Sequence, residues 1–474
     1  TFLTTSLELF LTTAFIAVVS AALSVVVGVP FGSWLRSLSP QLARGISTLT
    51  LIPFLLPPLL IGLAFVGVFG ELKVNSNIGM LLVIAAHVLM NFGFIAKVFA
   101  GSTIDREQIE AARLDGASEN QIRGSVEFPQ QLPGLISASL LVALYSATSF
   151  GLVLTLGAGQ VKTLETEIAI ATLQQLDLER AGLYAALQTL LTVAMFQFSK
   201  RISGSPSPLD QIEKSILRPT LFDKSLGLTL SALVFVAIGF VVSKALTGPG
   251  LITNFANLST KGERELLNIT VVDASINSIR NALVVVLVAV PVAYLLASRK
   301  RPSSWVLIPI GISPVVIGLA TLALAGYLPR ALTSSWVLLP LIQVLFALPV
   351  AFQILRPARL SIDRDVLEAS ALDGAGGFQR VSMIELPLIK KSVALATAFS
   401  AMVSIGEFGA ASFLAFGSNV TLPIVLFKLL GRPGVENLGM AMTVAAIYIL
   451  ISACVIWLSL KPIQTRHRFS SADR

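Results

Sequence analysis

Apolar stretches of membrane-crossing length, separated by short charged connections, occupy most of the chain. They fall at 7–35, 47–70, 78–100, 134–157 and 181–199, and then at 226–246, 276–298, 304–328, 334–355, 390–416 and 438–460, eleven in all. A helix needs about 20 apolar residues to cross about 30 Å of hydrocarbon, and it must satisfy its own backbone hydrogen bonds there. The run LVVVLVAVPVAYLLA, 283–297, meets that requirement with its flanks, and the two-residue alternation of a barrel strand is missing. The pattern predicts an all-α polytopic membrane protein.

Composition strengthens this picture and charge orients it. With 54% hydrophobic and 13% charged residues and a mean hydropathy of +0.83, 474 residues have too little polar surface to cover a soluble globule. A net charge of +8 would suit nucleic acid if the basic residues lined one face. They cluster between apolar runs instead, so the expected partner is the lipid bilayer and not nucleic acid. Arg36 and Arg44, the group Lys200, Arg201, Lys214, Arg218 and Lys224, then Arg299, Lys300 and Arg301, and finally Lys461, Arg466 and Arg468 mark the cytoplasmic side. The neutral or acidic connections around Glu71, Glu165–Glu179 and Glu263–Asp273 face outside. Thr1 also falls outside, in a chain without an initiating Met or a signal peptide, so one further helix is expected ahead of it. The single cysteine, Cys454, forms no intramolecular disulfide and reads as a packing residue of the last run.

A repeat organises the whole chain. EAARLDGASENQIRGSVEFP at 110–129 returns as EASALDGAGGFQRVSMIELP at 368–387, with Glu110 and Glu368, Asp115 and Asp373, Gly116 and Gly374, and Glu127 and Glu385 each 258 positions apart. PPLLIG at 57–62 matches SPVVIG at 313–318, and His87-Val-Leu matches Gln343-Val-Leu, both at a spacing of 256. Phe150-Gly151 and Thr163-Leu164 match Phe408-Gly409 and Thr421-Leu422 at 258. Two fused copies of one bundle are therefore predicted, 1–199 and 225–474, joined by a basic, Ser/Pro-containing cytoplasmic linker at 200–224. The run at 226–246 and the outer loop after it have no counterpart in the first copy, which again predicts a missing first helix and about six helices per half.

The repeated stretch is helix-forming from Glu110 to Leu114, stops at Asp115-Gly116, can reopen a helix after Ala117-Ser118, and ends at Pro129. Small residues at Ala111, Ala112 and Gly116, and at Ala369, Ser370 and Gly374, allow close approach to a partner, and Glu110 and Glu368 can meet its arginines. This pattern resembles the EAA loop of type I ATP-binding cassette importer permeases. The resemblance implies that Glu110, Ala111, Ala112, Asp115 and Gly116, and likewise Glu368, Ala369, Asp373 and Gly374, form coupling helices that dock on two cytosolic ATPase subunits. It also implies an extracytoplasmic substrate-binding protein. The second copy departs at Ser370 and at Gly376-Gly377. The likeness spans nearly the whole chain: HVLMNFGFIAK, SFGLVLTLGAG and SIGEFGAASFLAFG, with their downstream segments, resemble the fused permeases of thiamine and ferric-iron importers. A multi-pass cell-membrane location with both loops and the C-terminus cytoplasmic follows from it.

No ATP site is expected in the chain itself. A Walker A loop needs Gly before its Lys so that backbone amides can wrap phosphate, and GAGQVKT at 157–163 has Val161 there. ATP would be used by the partner ATPase, with no cofactor and no metal held by this chain. Candidate substrate-path residues are the polar ones within spans. Glu407 lies 16 residues beyond Lys391, about 24 Å across the membrane. Its counterpart is Ser149, and either cation attraction or an intra-bundle hydrogen bond explains it. His87 and Asn91 share one helix face, where interhelical hydrogen bonding or substrate contact are the options. An ion-coupled secondary transporter also uses internal repeats, but it calls for an intramembrane relay richer than Glu407 and His87. An intramembrane enzyme needs a convergent catalytic set that the sequence does not display.

Overall fold

The computed structural model describes residues 2–69, 75–101, 106–157, 159–202, 218–247, 249–298, 304–327, 329, 335–432 and 434–459. Most of the linker, the connection around Glu71, residues 299–303 and the tail with Lys461, Arg466, His467 and Arg468 lie outside them. The described residues contain no β-strand. The first half comprises α1 (Phe2–Leu35), α2 (Pro40–Leu55), α3 (Pro58–Phe69), α4 (Ser76–Gly101), α5 (Arg106–Leu114), α6 (Glu119–Ile122), α7 (Phe128–Ala147), α8 (Phe150–Leu156), α9 (Leu164–Leu173) and α10 (Leu178–Ile202). After α11 (Leu221–Leu246) and α12 (Leu251–Asn257), the pattern restarts with α13 (Val271–Ala297), α14 (Pro314–Leu324) and α15 (Ser335–Leu360). It continues through α16 (Arg364–Leu372), α17 (Gly377–Arg380), α18 (Leu386–Leu388), α19 (Lys390–Gly406), α20 (Ala411–Leu414), α21 (Leu422–Gly431) and α22 (Val435–Ser459).

Seven of these helices are long and apolar enough to cross a membrane, and two bent pairs raise the number to nine. The pairs are 119–147 with 150–156, bent by 59°, and 377–388 with 390–406, bent by 82°. The two remaining apolar runs, 47–70 and 304–328, correct the expectation of eleven continuous spans. The first splits into α2 and α3, and the second into a 3-10 segment, Ser304–Gly311, and α14. Both breaks precede a proline, whose ring pushes the residue before it out of the α region. Leu56 and Ser313 have ψ of 141° and 137°. Ser313 then caps α14, its Oγ accepting from the Val315 and Val316 amides at 3.1 and 3.4 Å.

The halves repeat one packing scheme: α1 lies against α4 and α7, and α13 against α15 and α19. They also interlock. Helix α22 packs on α2, α10 reaches Ser304–Gly311 and α14, and α11 lies along α1, α2 and α22. The largest apolar cluster accordingly draws on both copies, joining Leu51, Leu59 and Met90 to Val425, Met440 and Tyr448. Cys454 departs from the packing role expected of it, since it is exposed on α22.

Candidate functional site: twin loops and the junction between the halves

The repeated stretches fold with the same hydrogen-bond pattern at their central turn. In the first, α5 ends with the Asp115 amide donating to Ala111 O, and Gly116 adopts a left-handed φ of 82°. The Ala117 amide then closes back onto Ala112 O at 3.0 Å. In the second, Asp373 donates to Ala369 O, Gly374 has φ 79°, and Ala375 closes onto Ser370 O at 3.0 Å. This is the αL termination that glycine adopts without a Cβ penalty, and it explains why Asp-Gly stands at the same place in both copies. The second short helix begins as expected at Ser118, whose amide donates to Gln121 Oε1 at 2.8 Å while its Oγ accepts from the Gln121 amide. Gly376 keeps only one half of that box, its amide donating to Gln379 Oε1 at 3.0 Å.

Glu110, Ala111, Asp115 and Gly116 are exposed, as are Glu368, Ala369, Asp373 and Gly374. Ala112 is different: it packs against the loop's own small core of Ile109 and Ile122. Its counterpart Ser370 is buried, with Oγ donating to Leu367 O at 2.7 Å. The second small residue of the motif therefore serves packing within the loop. Leu114 and Leu372, which sequence reasoning passed over, are each 89% exposed. Their signal was legible: an apolar residue repeated immediately before Asp-Gly in an otherwise polar loop.

The loops differ in their surroundings. The first is strapped to the segment leading into α11. Arg123 pairs with Asp223 at 3.0 Å and donates to Arg218 O, while the Arg218 amide donates to Glu119 Oε2 at 3.3 Å. Arg113 and Glu119 pair at 2.8 Å beside it.

At the junction of the halves, the repeated Phe-Gly pairs meet. Phe150 stacks on Phe408 with ring centroids 5.2 Å apart and planes 16° from parallel, and Phe427 packs on Phe408 at 5.4 Å. The glycines fit the helix breaks: a Cβ at Gly151 would sit 3.5 Å from Leu59 Cβ, and one at Gly409 would sit 3.0 Å from Pro314 Cβ. A Cβ at Gly406 would press on Pro57 of the other half at 2.9 Å. The repeated motifs PPLLIG and SPVVIG are thus explained as the seats for the Phe-Gly turns.

The four path candidates are not gathered in one cluster. Glu407 follows α19 directly, and its carboxylate accepts from the Ala410 and Ala411 amides at 2.6 and 3.1 Å, the intra-bundle role allowed for it. Ser149 is buried beside Phe150, its Oγ without a hydrogen-bond partner. His87 faces Ser20 Oγ through Nδ1 at 3.3 Å, and Asn91 donates to His87 O at 2.7 Å within the same helix. Sequence reasoning missed Glu165, read only as part of an acidic outer segment. It is wholly buried at the start of α9, accepting from Gln188 Nε2 at 2.8 Å. Burial pushes its carboxyl up to about 8, with hydrogen bonds from Ser313 of the other half and from Gln188 acting against that shift.

Two fused bundles with broken helices meeting at a common junction, each carrying one protruding loop, define a duplicated membrane permease. The chain belongs to the family described as binding-protein-dependent transport system inner membrane component, which matches residues 9–203 and 283–460. It is similar to the thiamine transport system permease protein ThiP of Brucella abortus (strain 2308), at 27% identity over 455 residues, covering 88% of this chain and 80% of that one. ThiP of Haemophilus influenzae is 26% identical over 448 residues, 87% of this chain and 82% of the relative. A probable ABC transporter permease protein, y4fN of Sinorhizobium fredii, is 24% identical over 399 residues, covering 77% and 69%. The protein is the multi-pass membrane permease subunit of an ATP-binding cassette importer, and its relatives are transport permeases rather than enzymes.

Proposed function

We propose that the chain carries thiamine or its phosphate esters across the membrane, driven by two cytosolic ATPase subunits that dock at 110–116 and 368–374 and fed by an extracytoplasmic binding protein. The observation that carries the docking reading is the twin protruding leucine, Leu114 and Leu372, each two residues before a left-handed glycine at the same register. An apolar side chain held in water on a short helix is a knob awaiting a pocket, and burying a leucine contributes about 1.5–3 kcal/mol. Two such knobs match two ATPase subunits. For the substrate, the names of the thiamine relatives are supported by the junction's chemistry. Phe150, Phe408 and Phe427 are packed on one another at the junction, so that parting of the halves bares aromatic faces to a ring-bearing cation; Glu407 precedes Phe408 directly, its carboxylate held by the Ala410 and Ala411 amides.

Leu114→Asp and Leu372→Asp test the docking. Each is expected to weaken ATPase co-purification about tenfold or more, while the solubilised chain keeps its thermal stability because neither leucine packs on the bundle. Unchanged ATPase binding in the double variant would overturn it. Uptake of thiamine, and not ferric iron, by proteoliposomes holding the complete importer tests the cargo; ferric uptake would overturn the substrate while leaving the docking intact.

A further inference from the structure

Each loop rejoins its bundle through a single π-helical turn, Arg123–Glu127 in the first half and Val381–Glu385 in the second. A π-turn inserts one extra residue and so rotates the downstream helix relative to the upstream one. In both copies the turn ends on a glutamate turned inward, Glu127 at 5% exposure and Glu385 at 1%. A carboxylate so buried needs cations or donors around it, and the two sites find them in different places.

In the first half the hydrogen-bonded cation is Arg36, just beyond α1, which binds Glu127 at 2.8 Å, with Arg123 of the loop as a second, more distant charge. The same guanidinium donates to Phe99 O at 2.6 Å and Ala100 O at 3.2 Å, the last carbonyls of α4, and lies over the Phe99 ring at 4.8 Å. One side chain thus clamps the end of α1, the end of α4 and the root of the loop. In the second half the position of Arg36, 258 residues on, is held by Tyr294. Its hydroxyl donates to Glu385 at 2.6 Å, and the positive charge comes instead from Arg359 at the end of α15, 2.7 Å away, and from Arg380 in the loop, 3.1 Å away. Arg359 also stacks over the Tyr294 ring at 4.6 Å. The charge that fastens the loop has moved from the bundle's first helix to the helix that leads directly into the loop.

We propose that Glu127 and Glu385 are positioning residues that fasten the two coupling loops to the bundle, and that they do so unequally: the first through an ion pair to the end of α1, the second through cations on α15 and in the loop itself. The proposal rests on the docking reading above. It means that force applied at the first loop reaches α1 and α4 through the Arg36–Glu127 pair, beside a second route that runs from Arg123 through Asp223 to Ser33 of α1. At the second loop the direct link from Glu385 to the corresponding helix, α13, is the neutral Tyr294 hydroxyl, and the charge reaches α13 at second hand, through Arg359 donating to Tyr294 O at 3.4 Å.

Glu127→Gln and Arg36→Gln are the probing variants, together with the double variant, which keeps a hydrogen-bonded neutral pair where a lone buried charge could prevent folding. In proteoliposomes with the complete importer, each single variant is expected to lower substrate moved per ATP hydrolysed about tenfold, and the double variant no further, because coupled partners are not additive. Glu385→Gln, with its local cations and tyrosine still in place, is expected to lose about threefold or less. A parallel fall of ATPase and transport, additive losses, or an equal loss in Glu385→Gln would overturn the proposal. Hydrogen exchange on the purified chain alone reads the anchor without any partner. Glu127→Gln should speed exchange at 97–101 and in the first loop together, and unchanged exchange there would overturn the anchor whatever the fate of the docking reading.

Discussion

Single positions set how closely the helices approach, and glycine shows it most directly. A Cβ added at Gly93 in α4 would fall on the carbonyl oxygen of Thr50 in α2, a backbone atom that cannot swing aside. At Gly45, also helical, nothing lies within 4 Å. Gly93→Ala should therefore destabilise by about 1–3 kcal/mol through overpacking. Gly45→Ala should be neutral or stabilising by about 0.5–1 kcal/mol, because alanine loses less freedom in a helix. Thermal unfolding in detergent, followed by fluorescence, reads both; a Gly93→Ala protein as stable as the parent would mean that α2 and α4 do not touch there. Nothing in HVLMNFGFIAK announces this contact, because its repeat partner 256 positions on is Pro349 rather than glycine. Glu165 was equally hidden. A buried carboxylate is recognisable only when its donors, here on α10 and in the other half, are known. The loop residues Asp115-Gly116 and Asp373-Gly374 were legible because their constraint is local: a helix stop needs a left-handed residue in the chain itself.

At the level of elements, the long helices followed from hydropathy, whereas the breaks in α2–α3 and before α14 did not. Proline alone is no guide, since Pro30, Pro291, Pro340 and Pro349 all lie inside continuous helices. What distinguishes Pro57 and Pro314 is that the broken turn is packed from far along the chain, by Gly406 on one and Gly409 on the other. The same turns aim Phe150 and Phe408 at each other across the junction. An aromatic pair of this kind contributes about 0.5–1.5 kcal/mol beyond its buried area. If the stack holds the junction shut, Phe408→Ala should raise the open fraction by up to about tenfold, the factor that 1.4 kcal/mol represents. The native chain has a single cysteine, so a Cys454→Ala background allows Ser149→Cys, buried beside Phe150, to report opening. Its labelling by a membrane-impermeant thiol reagent should quicken by that factor when Phe408→Ala is added. An unchanged rate would assign the closure to other contacts.

The molecule as a whole is one interlocked body rather than two bundles on a string. Helix α11, which begins the second copy in sequence, lies along α1 and α2 of the first, and α22 packs on α2. In return α10 reaches Ser304–Gly311 and α14. The start of α11 is also pinned to the first loop through Asp223, which accepts from Arg123 and from Ser33 as well as from the Thr220 amide. The repeat in the sequence predicts two copies of one bundle but not this exchange, because a helix's partners are written on its packing surface and not in its order. The covalent connection between the halves is therefore expected to be dispensable once they have met. Co-expressed fragments cut within 203–217 should co-purify and retain most of the uptake of the intact chain, because the crossed-helix contacts and the Asp223 pin all survive the cut. Adding Arg123→Ala to the split protein removes the pin on Asp223 and should weaken recovery of the pair, where in the uncut chain the same change is masked by the linker. Fragments that fold but do not associate would mean that the linker, and not the crossed helices, holds the importer together.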